Sequence, residues 1–155
     1  MLEDINLHTF SQFELTDLNP KLIMTNNKTT DSKNLNILII EDEGDISLIL
    51  NLMLKKEAID IEHVTTLAKA KIHLQEQNPD IVIIDNQLPD GLGIEYIREI
   101  KSNYTAIKII MITGNADSTD KDIALENGAD VFLAKPFTKE QIQAAIESLS
   151  TMKVA

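Results

Sequence analysis

The sequence predicts an α/β fold in which five parallel strands alternate with five helices. Two apolar runs, Ile37 to Ile40 and Ile81 to Ile84, are unbroken and consist mostly of β-branched residues. Runs without polar alternation are typical of strands buried on both faces, as in a parallel sheet covered by helices. Segments with helical spacing separate the strand candidates. This alternation predicts right-handed crossovers with helices on both faces, a doubly wound sheet.

The first strand is predicted at 35–40 and stops at the acidic segment Glu41 to Glu43. A helical period follows it, with apolar residues at Ile46, Ile49, Leu50, Met53 and Leu54. A second, weaker strand is predicted at 61–65 and a second helix at 67–77. Asn78 and Pro79 end that helix, because the residue before a proline disfavours helical backbone.

The central strand, 80–85, ends at a carboxylate, Asp85. The next residues, 86–93, contain one proline and two glycines, which is loop composition. Three isoleucines at helical spacing, Ile94, Ile97 and Ile100, predict the third helix.

The last two strands are predicted at 107–112 and 131–134, on either side of a fourth helix at 117–127. Gly128 is a suitable carboxyl-terminal cap for that helix. Thr138 is predicted to cap the final helix, whose apolar positions are Ile142, Ala145, Ile146 and Leu149. Residues 35–155 are therefore predicted to form one domain.

Residues 1–34 differ from this domain. Their apolar positions follow no sustained period, and 25–34 are almost wholly polar, which is linker composition. We expect an N-terminal extension that is either disordered or a docking segment.

Composition excludes several classes of function. The 155 residues include no cysteine, so thiol catalysis, disulfides and zinc fingers are excluded, as fits a reducing compartment. The formal net charge is -11 and Arg98 is the only arginine, which argues against direct nucleic-acid binding. No apolar run approaches the roughly 20 residues that span a bilayer, and no secretory signal is evident. We expect a cytoplasmic protein without membrane contact whose partners are basic proteins or a cation.

Polar residues stand where four strands end. They are the pair Glu41 and Asp42, then Asp85, Thr113 and Lys135. In a parallel sheet these ends meet at one edge, the place where open α/β sheets bind ligands. Two like charges about 4 Å apart at an effective dielectric near 20 repel by roughly 4 kcal/mol, so the carboxylates imply a cation. Because all candidate ligands are oxygens, we expect Mg²⁺.

A metal ion, an ammonium group and a hydroxyl around one carboxylate can stabilise a phosphoryl group passing to that carboxylate. Aspartate is a known nucleophile that forms acyl phosphates, and phosphoryl transfer depends mostly on positioning and charge neutralisation. The sequence thus predicts Asp85 as the acceptor, with Lys135 and Thr113 as the groups that assist it. Considered one at a time, these residues have structural interpretations: Lys135 could form an ion pair with Asp85, and Thr113 could cap a helix.

Residues 35 to about 151 resemble a response-regulator receiver domain of the chemotaxis type, the phospho-accepting part of two-component signalling. Four motifs carry the resemblance: Ile-Ile-Glu-Asp-Glu, Ile-Val-Ile-Ile-Asp with Leu-Pro-Asp-Gly-Leu-Gly, Met-Ile-Thr-Gly, and Gly-Ala-Asp-Val-Phe-Leu-Ala-Lys-Pro-Phe. The resemblance implies a flavodoxin-like sheet with strand order 2-1-3-4-5. It also implies phosphorylation of Asp85 by a histidine kinase or phosphotransfer protein.

The resemblance further implies a role for each site residue. Asp42, Asp85 and the backbone carbonyl of Gln87 would hold Mg²⁺, with Glu41 assisting through water. Lys135 would contact the phosphoryl oxygens and precede a cis bond to Pro136. Thr113 and Phe132 would be the switch residues, moving when Asp85 is phosphorylated.

The expected protein is a stand-alone receiver in a phosphorelay, a monomer or weak homodimer that signals to a downstream protein target. It would catalyse its own Mg²⁺-dependent aspartyl phosphorylation and dephosphorylation without being a turnover enzyme. A receiver-like interaction module that works without phosphorylation is the alternative. An aspartate-nucleophile phosphatase is disfavoured, because such enzymes carry a second Asp two residues on, where this chain has Gln87.

Overall fold

The computed structural model describes residues 33–151, and the predicted extension at 1–34 lies almost wholly outside them. The five main strands are β1 (Leu35–Ile40), β2 (Ile59–Val64), β3 (Ile81–Asp85), β4 (Lys108–Thr113) and β5 (Val131–Ala134). The helices are α1 (Gly44–Leu54), α2 (Leu67–Glu76), α3 (Gly93–Asn103), α4 (Ser118–Asn127) and α5 (Lys139–Thr151). None of these helices is long and apolar enough to cross a membrane.

The main sheet is parallel, with strand order β2-β1-β3-β4-β5. This confirms the predicted doubly wound, flavodoxin-like fold with order 2-1-3-4-5. β3 lies in the middle and is buried along its whole length, from Ile81 to Asp85. Its register places Asp85 beside Ile112, next to the end of β4.

Alternate residues of the central strands enter two apolar layers. Leu38, Ile40, Val82 and Ile84 pack with α2, α3 and α4 on one face. Ile37, Ile39, Ile81 and Ile83 pack with α1 and α5 on the other. Helices therefore cover both faces, and polar residues of the central strands have access to water only at the strand ends.

The strand and helix bounds differ from the predicted ones at a few places. β2 begins at Ile59 rather than at 61, because Ile59 pairs with Leu35 at the start of β1. α1 begins at Gly44, two residues before its first apolar position. In the segment predicted as a loop, Gln87–Leu88 and Gly91–Leu92 form a two-residue antiparallel ribbon. The bounds of β2 and of the ribbon are set by pairing with other segments of the chain, and the local sequence pattern does not encode this pairing.

The segment between β3 and α3 is held by hydrogen bonds to α2 and by one between its own ends. The two carboxylate oxygens of Asp90 accept hydrogen bonds from the backbone N–H groups of Leu67 and Ala68, each at 2.9 Å, at the start of α2. The N–H of Gly93 donates to the carbonyl of Asn86 at 2.8 Å. Asp90 thus caps a helix that lies 23 residues earlier in the chain.

Two predicted caps are confirmed. Gly128 ends α4 with left-handed backbone, φ 111°, which favours glycine. At α5, the Thr138 hydroxyl accepts the Gln141 N–H at 3.1 Å, and the Gln141 side chain accepts the Thr138 N–H at 2.8 Å. This reciprocal pair is a capping box.

Candidate functional site

The carboxyl ends of the strands bring the predicted residues to one edge of the sheet. Glu41 directly follows β1, and its N–H donates to the Val64 carbonyl at 3.1 Å. Asp85 ends β3 and Thr113 ends β4. Lys135 directly follows β5, and its N–H donates to the Thr113 carbonyl at 2.8 Å. These two hydrogen bonds extend the strand pairing by one residue each, and they fix the backbone positions from which the Glu41 and Lys135 side chains reach the site.

The Lys135 ammonium lies among three carboxylates. Its Nζ is 3.0 Å from Oε2 of Glu41, 3.4 Å from Oδ2 of Asp85 and 3.4 Å from Oε1 of Glu43. Glu41 is also fixed by the Glu43 N–H, which donates to its Oε1 at 3.0 Å. Among residues 33–151, one positive charge therefore faces three negative charges, and this part of the chain leaves the cluster with excess negative charge.

Burial shapes the electrostatics of this cluster. Glu41 is 0% exposed and Asp85 is 3% exposed. Burial raises the pKa of both carboxyl groups above their ordinary values, although the charge and hydrogen bonds of Lys135 oppose this effect. For Lys135, burial acts to lower the pKa, but the hydrogen bond to Glu41 and the charges of Asp85, Glu41 and Glu43 raise it overall. The site thus favours a charged lysine and disfavours its own carboxylate charges.

The acidic group is suited to a hard cation. One carboxylate oxygen from each of Glu41, Asp42 and Asp85 lies within 4.8 Å of the other two. All the donors are oxygens, which is the chemistry that Mg²⁺ prefers. Asp42 is exposed, whereas Glu41 and Asp85 are buried, so the group opens to solvent on one side. Gln87 is exposed and lines the same cleft.

The two predicted switch residues occupy different places. Thr113 is 1% exposed and lines the cleft, and its Oγ1 accepts the N–H of Asn115 at 3.3 Å. Phe132 lies on β5 beside Met111 and is half-buried against the apolar layer of α2, α3 and α4. The cis bond between Lys135 and Pro136, implied by the resemblance, is confirmed.

Glu43 and Asn86 contact the predicted residues although the sequence predicted no site role for either. Glu43 approaches Lys135, and only its position after the acidic pair pointed to it. Asn86 donates its N–H to Oδ1 of Asp85 at 2.8 Å, and its own side-chain oxygen accepts the Ile94 N–H at 3.0 Å, which caps α3. No sequence signal distinguished Asn86 from an ordinary loop residue.

A flavodoxin-like sheet with an acidic, lysine-bearing cleft at its carboxyl edge belongs to the doubly wound α/β domains, whose ligand crevices lie at this edge. The family model for the response regulator receiver domain matches residues 37–147. The chain belongs to this family, the receiver domains of two-component signal transduction.

The relatives agree with this assignment. The KDP operon transcriptional regulatory protein KdpE of Escherichia coli K12 is 35% identical over 111 residues, which are 72% of this chain and 49% of KdpE. The chain thus spans about half the length of this curated relative. The beryllofluoride-activated NtrC4 receiver domain, solved as a dimer, is 30% identical, with a TM-score of 0.70 over 74% of this chain and 94% of that one.

A CheY-like receiver domain protein from Methanospirillum hungatei is 25% identical, with a TM-score of 0.72 over 77% of this chain and 97% of that one. The receiver domain of the putative Luxo repressor protein from Vibrio parahaemolyticus supports the fold alone. It is 24% identical, with a TM-score of 0.74 over 78% of this chain and 94% of that one.

Proposed function

We propose that Asp85 accepts a phosphoryl group from a phosphohistidine of a histidine kinase or phosphotransfer protein, and that the phosphorylated domain signals by contacts with a downstream protein. The observation that carries this proposal is the placement of Asp85. Its carboxylate is 3% exposed, 3.4 Å from the Lys135 ammonium, and belongs to the group of three carboxylates with Glu41 and Asp42.

In the proposed transfer, a carboxylate oxygen of Asp85 attacks phosphorus and forms a new O–P bond. The N–P bond of the donor breaks, and its electron pair stays on the imidazole nitrogen. The carboxylate becomes an acyl phosphate, so the negative charge moves outwards from Asp85 to the phosphoryl oxygens. Lys135 can follow that charge, because its ammonium already lies between Asp85 and Glu41.

Mg²⁺ would be held by Asp42 and Asp85, by the backbone carbonyl of Gln87, and by Glu41 through water. When bound, the cation supplies neutralisation of the carboxylates and of the phosphoryl oxygens. The excess negative charge of the cluster supports this assignment, since Lys135, the one ammonium that the described part of the chain brings to it, does not neutralise it.

The proposed output is a change of surface after phosphorylation. Thr113 lines the cleft at the end of β4, and Phe132 on β5 pairs with Met111, two residues before Thr113 on β4. We propose that movement of Thr113 reaches Phe132 through these paired strands. The protein would also hydrolyse its own acyl phosphate. We propose a monomer or weak homodimer, whose target is a protein rather than nucleic acid because of the net charge of -11.

Intact mass spectrometry tests the phosphoryl-acceptor proposal. Wild-type protein incubated with Mg²⁺ and acetyl phosphate should gain one phosphoryl group, which chelator prevents. Asp85→Asn should gain none. Asp122→Asn, which changes an exposed aspartate on α4, should gain one like the wild type.

A wild-type protein that binds Mg²⁺ but gains no phosphoryl group would contradict the proposal and favour the phosphorylation-independent module. Continuous release of inorganic phosphate from phosphomonoesters would instead favour a phosphatase. Equal affinity of both states for a downstream partner would contradict the switch, because a ligand indifferent to state shifts no equilibrium.

A further inference from the structure

A histidine outside the acidic group holds the turn on which that group is built. His63 lies on β2, and its Nε2 is 2.7 Å from the backbone carbonyl oxygen of Glu41 and 2.6 Å from Oγ of Ser47. The sequence pattern predicts no site role for His63, because the three histidines show no metal-ligand spacing.

The chemistry of the partners fixes the hydrogen of this ring. A carbonyl oxygen can only accept, so Nε2 of His63 carries a hydrogen and donates it to Glu41. The Ser47 hydroxyl oxygen is a second acceptor for the same N–H. An imidazole with a hydrogen on Nε2 is sufficient for both contacts.

These contacts lie on both sides of the turn from β1 to α1. Glu41 is bound to β2 through its N–H, at 3.1 Å from the Val64 carbonyl, and through its carbonyl to His63. Ser47 begins the hydrogen bonding of α1, since its N–H donates to the Glu43 carbonyl at 3.1 Å. The imidazole of His63 therefore contacts the residue before and the residue after segment 42–46, which includes Asp42.

We infer that His63 is a positioning residue for the cation site: it fixes the peptide that joins Glu41 to Asp42 and so orients the carboxylates that bind Mg²⁺. This inference rests on the proposed function. The Asp42 carboxylate is exposed, so the backbone that carries it is the main constraint on where it points. Partners that orient metal ligands typically change metal affinity by about 10- to 100-fold when they are removed.

The experiment compares Mg²⁺ dissociation constants, measured by isothermal titration calorimetry, among the wild type and three variants. His63→Ala should weaken binding about tenfold, the lower end for such partners. His63→Gln should bind like the wild type, because the glutamine amide places a donor near the position of Nε2. His73→Ala is the matched control: this histidine, on α2, pairs through Nδ1 with Glu62 at 3.2 Å and should leave the affinity unchanged.

Thermal unfolding in EDTA separates positioning from stability. A purely structural role would lower the unfolding temperature of His63→Ala and leave its Mg²⁺ affinity unchanged, which would overturn the inference. Equal weakening by His73→Ala would also overturn it. If His63→Ala does not fold, His63→Asn, which is polar but shorter, takes its place with the same expected tenfold loss.

The wild-type titration alone tests the proposed function. A wild type that binds no Mg²⁺ overturns the proposed function, and the inference with it. A wild type that binds Mg²⁺ together with a His63→Ala variant of equal affinity overturns the inference alone.

Discussion

Carboxylates lie at both edges of the sheet, but their surroundings differ. At the amino edge, Oδ2 of Asp130 accepts the Ile109 N–H and the Lys101 ammonium, each at 2.8 Å. At the carboxyl edge, Glu41 and Asp85 share one ammonium, that of Lys135, with Glu43. Counting only the residues that the structure describes, the charge of Asp130 is matched by its partners, whereas negative charge at the carboxyl edge is in excess. A candidate site is therefore distinguished from a structural ion pair by how many positive or hydrogen-bonding partners each carboxylate has. The presence of an aspartate at the end of a strand is less informative.

The largest expected effect comes from removing the lysine at each edge. Lys135→Met leaves Glu41 buried without its cation and should lower the free energy of unfolding by about 3–5 kcal/mol at pH 8. Lys101→Met should lower it less, by about 1–3 kcal/mol, because Asp130 keeps a backbone N–H and is partly exposed. Urea denaturation of both variants measures the difference. A loss in Lys101→Met that equals or exceeds that in Lys135→Met would contradict the comparison.

Mg²⁺ should stabilise only the edge with excess charge. At a concentration a hundred times the dissociation constant, it should raise the free energy of unfolding of the wild type by about 2.7 kcal/mol. Asp42→Asn should lose most of this gain, and Asp130→Asn should keep it. Thermal unfolding with and without Mg²⁺ gives the measurement, and an equal gain in both variants would show that the ion binds elsewhere.

Neutralising one aspartate at each edge should have effects of opposite sign without Mg²⁺. Asp85→Asn should raise the free energy of unfolding at pH 8 by on the order of 1 kcal/mol, because it removes a buried charge in excess. Asp130→Asn should lower it by about 1 kcal/mol, because it weakens two hydrogen bonds. Destabilisation by Asp85→Asn at pH 8 would show that Lys135 already compensates for the cluster.

The pH dependence sharpens this test. Burial raises the pKa of Asp85 in the folded state, so the folded protein binds that proton more tightly than the unfolded chain. Stability contributed by the protonated group is present at low pH and is lost as pH rises through the raised pKa. The advantage of Asp85→Asn over the wild type should therefore shrink as pH is lowered towards the ordinary pKa of aspartate. Thermal unfolding between pH 8 and pH 4 measures it.

The smallest effect is expected at Asp90, a carboxylate near the carboxyl edge that has matched partners. The N–H groups of Leu67 and Ala68 lower its pKa, so its contribution to stability is present at neutral pH and is lost as pH falls through that lowered pKa. Asp90→Asn should lower the unfolding temperature slightly at pH 7 and not at strongly acid pH. A stabilised Asp90→Asn variant would show that location at this edge, rather than partners, decides the sign.

Much of the fold was predictable because the strands are apolar runs that end at polar residues. Asp85, Thr113 and Lys135 could be brought together from sequence alone, since parallel strands place their carboxyl ends at one edge. The contacts of His63 with Glu41 and of Asp90 with Leu67 could not. Both join residues more than 20 positions apart, and they depend on side-chain reach and strand register, which no local periodicity encodes.

The two walls of the cleft beside Asp85 differ in their contacts and in their exposure to solvent. On one side the segment 86–93 is pinned by Asp90, and a Cβ on Gly93 would come within 2.1 Å of the Asp85 carbonyl oxygen, so backbone there is in close contact. On the other side, residues 114–117 are exposed and Asn115 is held to Thr113 by one bond of 3.3 Å. Added bulk at Asp85 would therefore be accommodated mainly by displacement of the second wall. We therefore expect bulk added at Asp85 to move the start of α4, rather than the start of α3, away from the cleft.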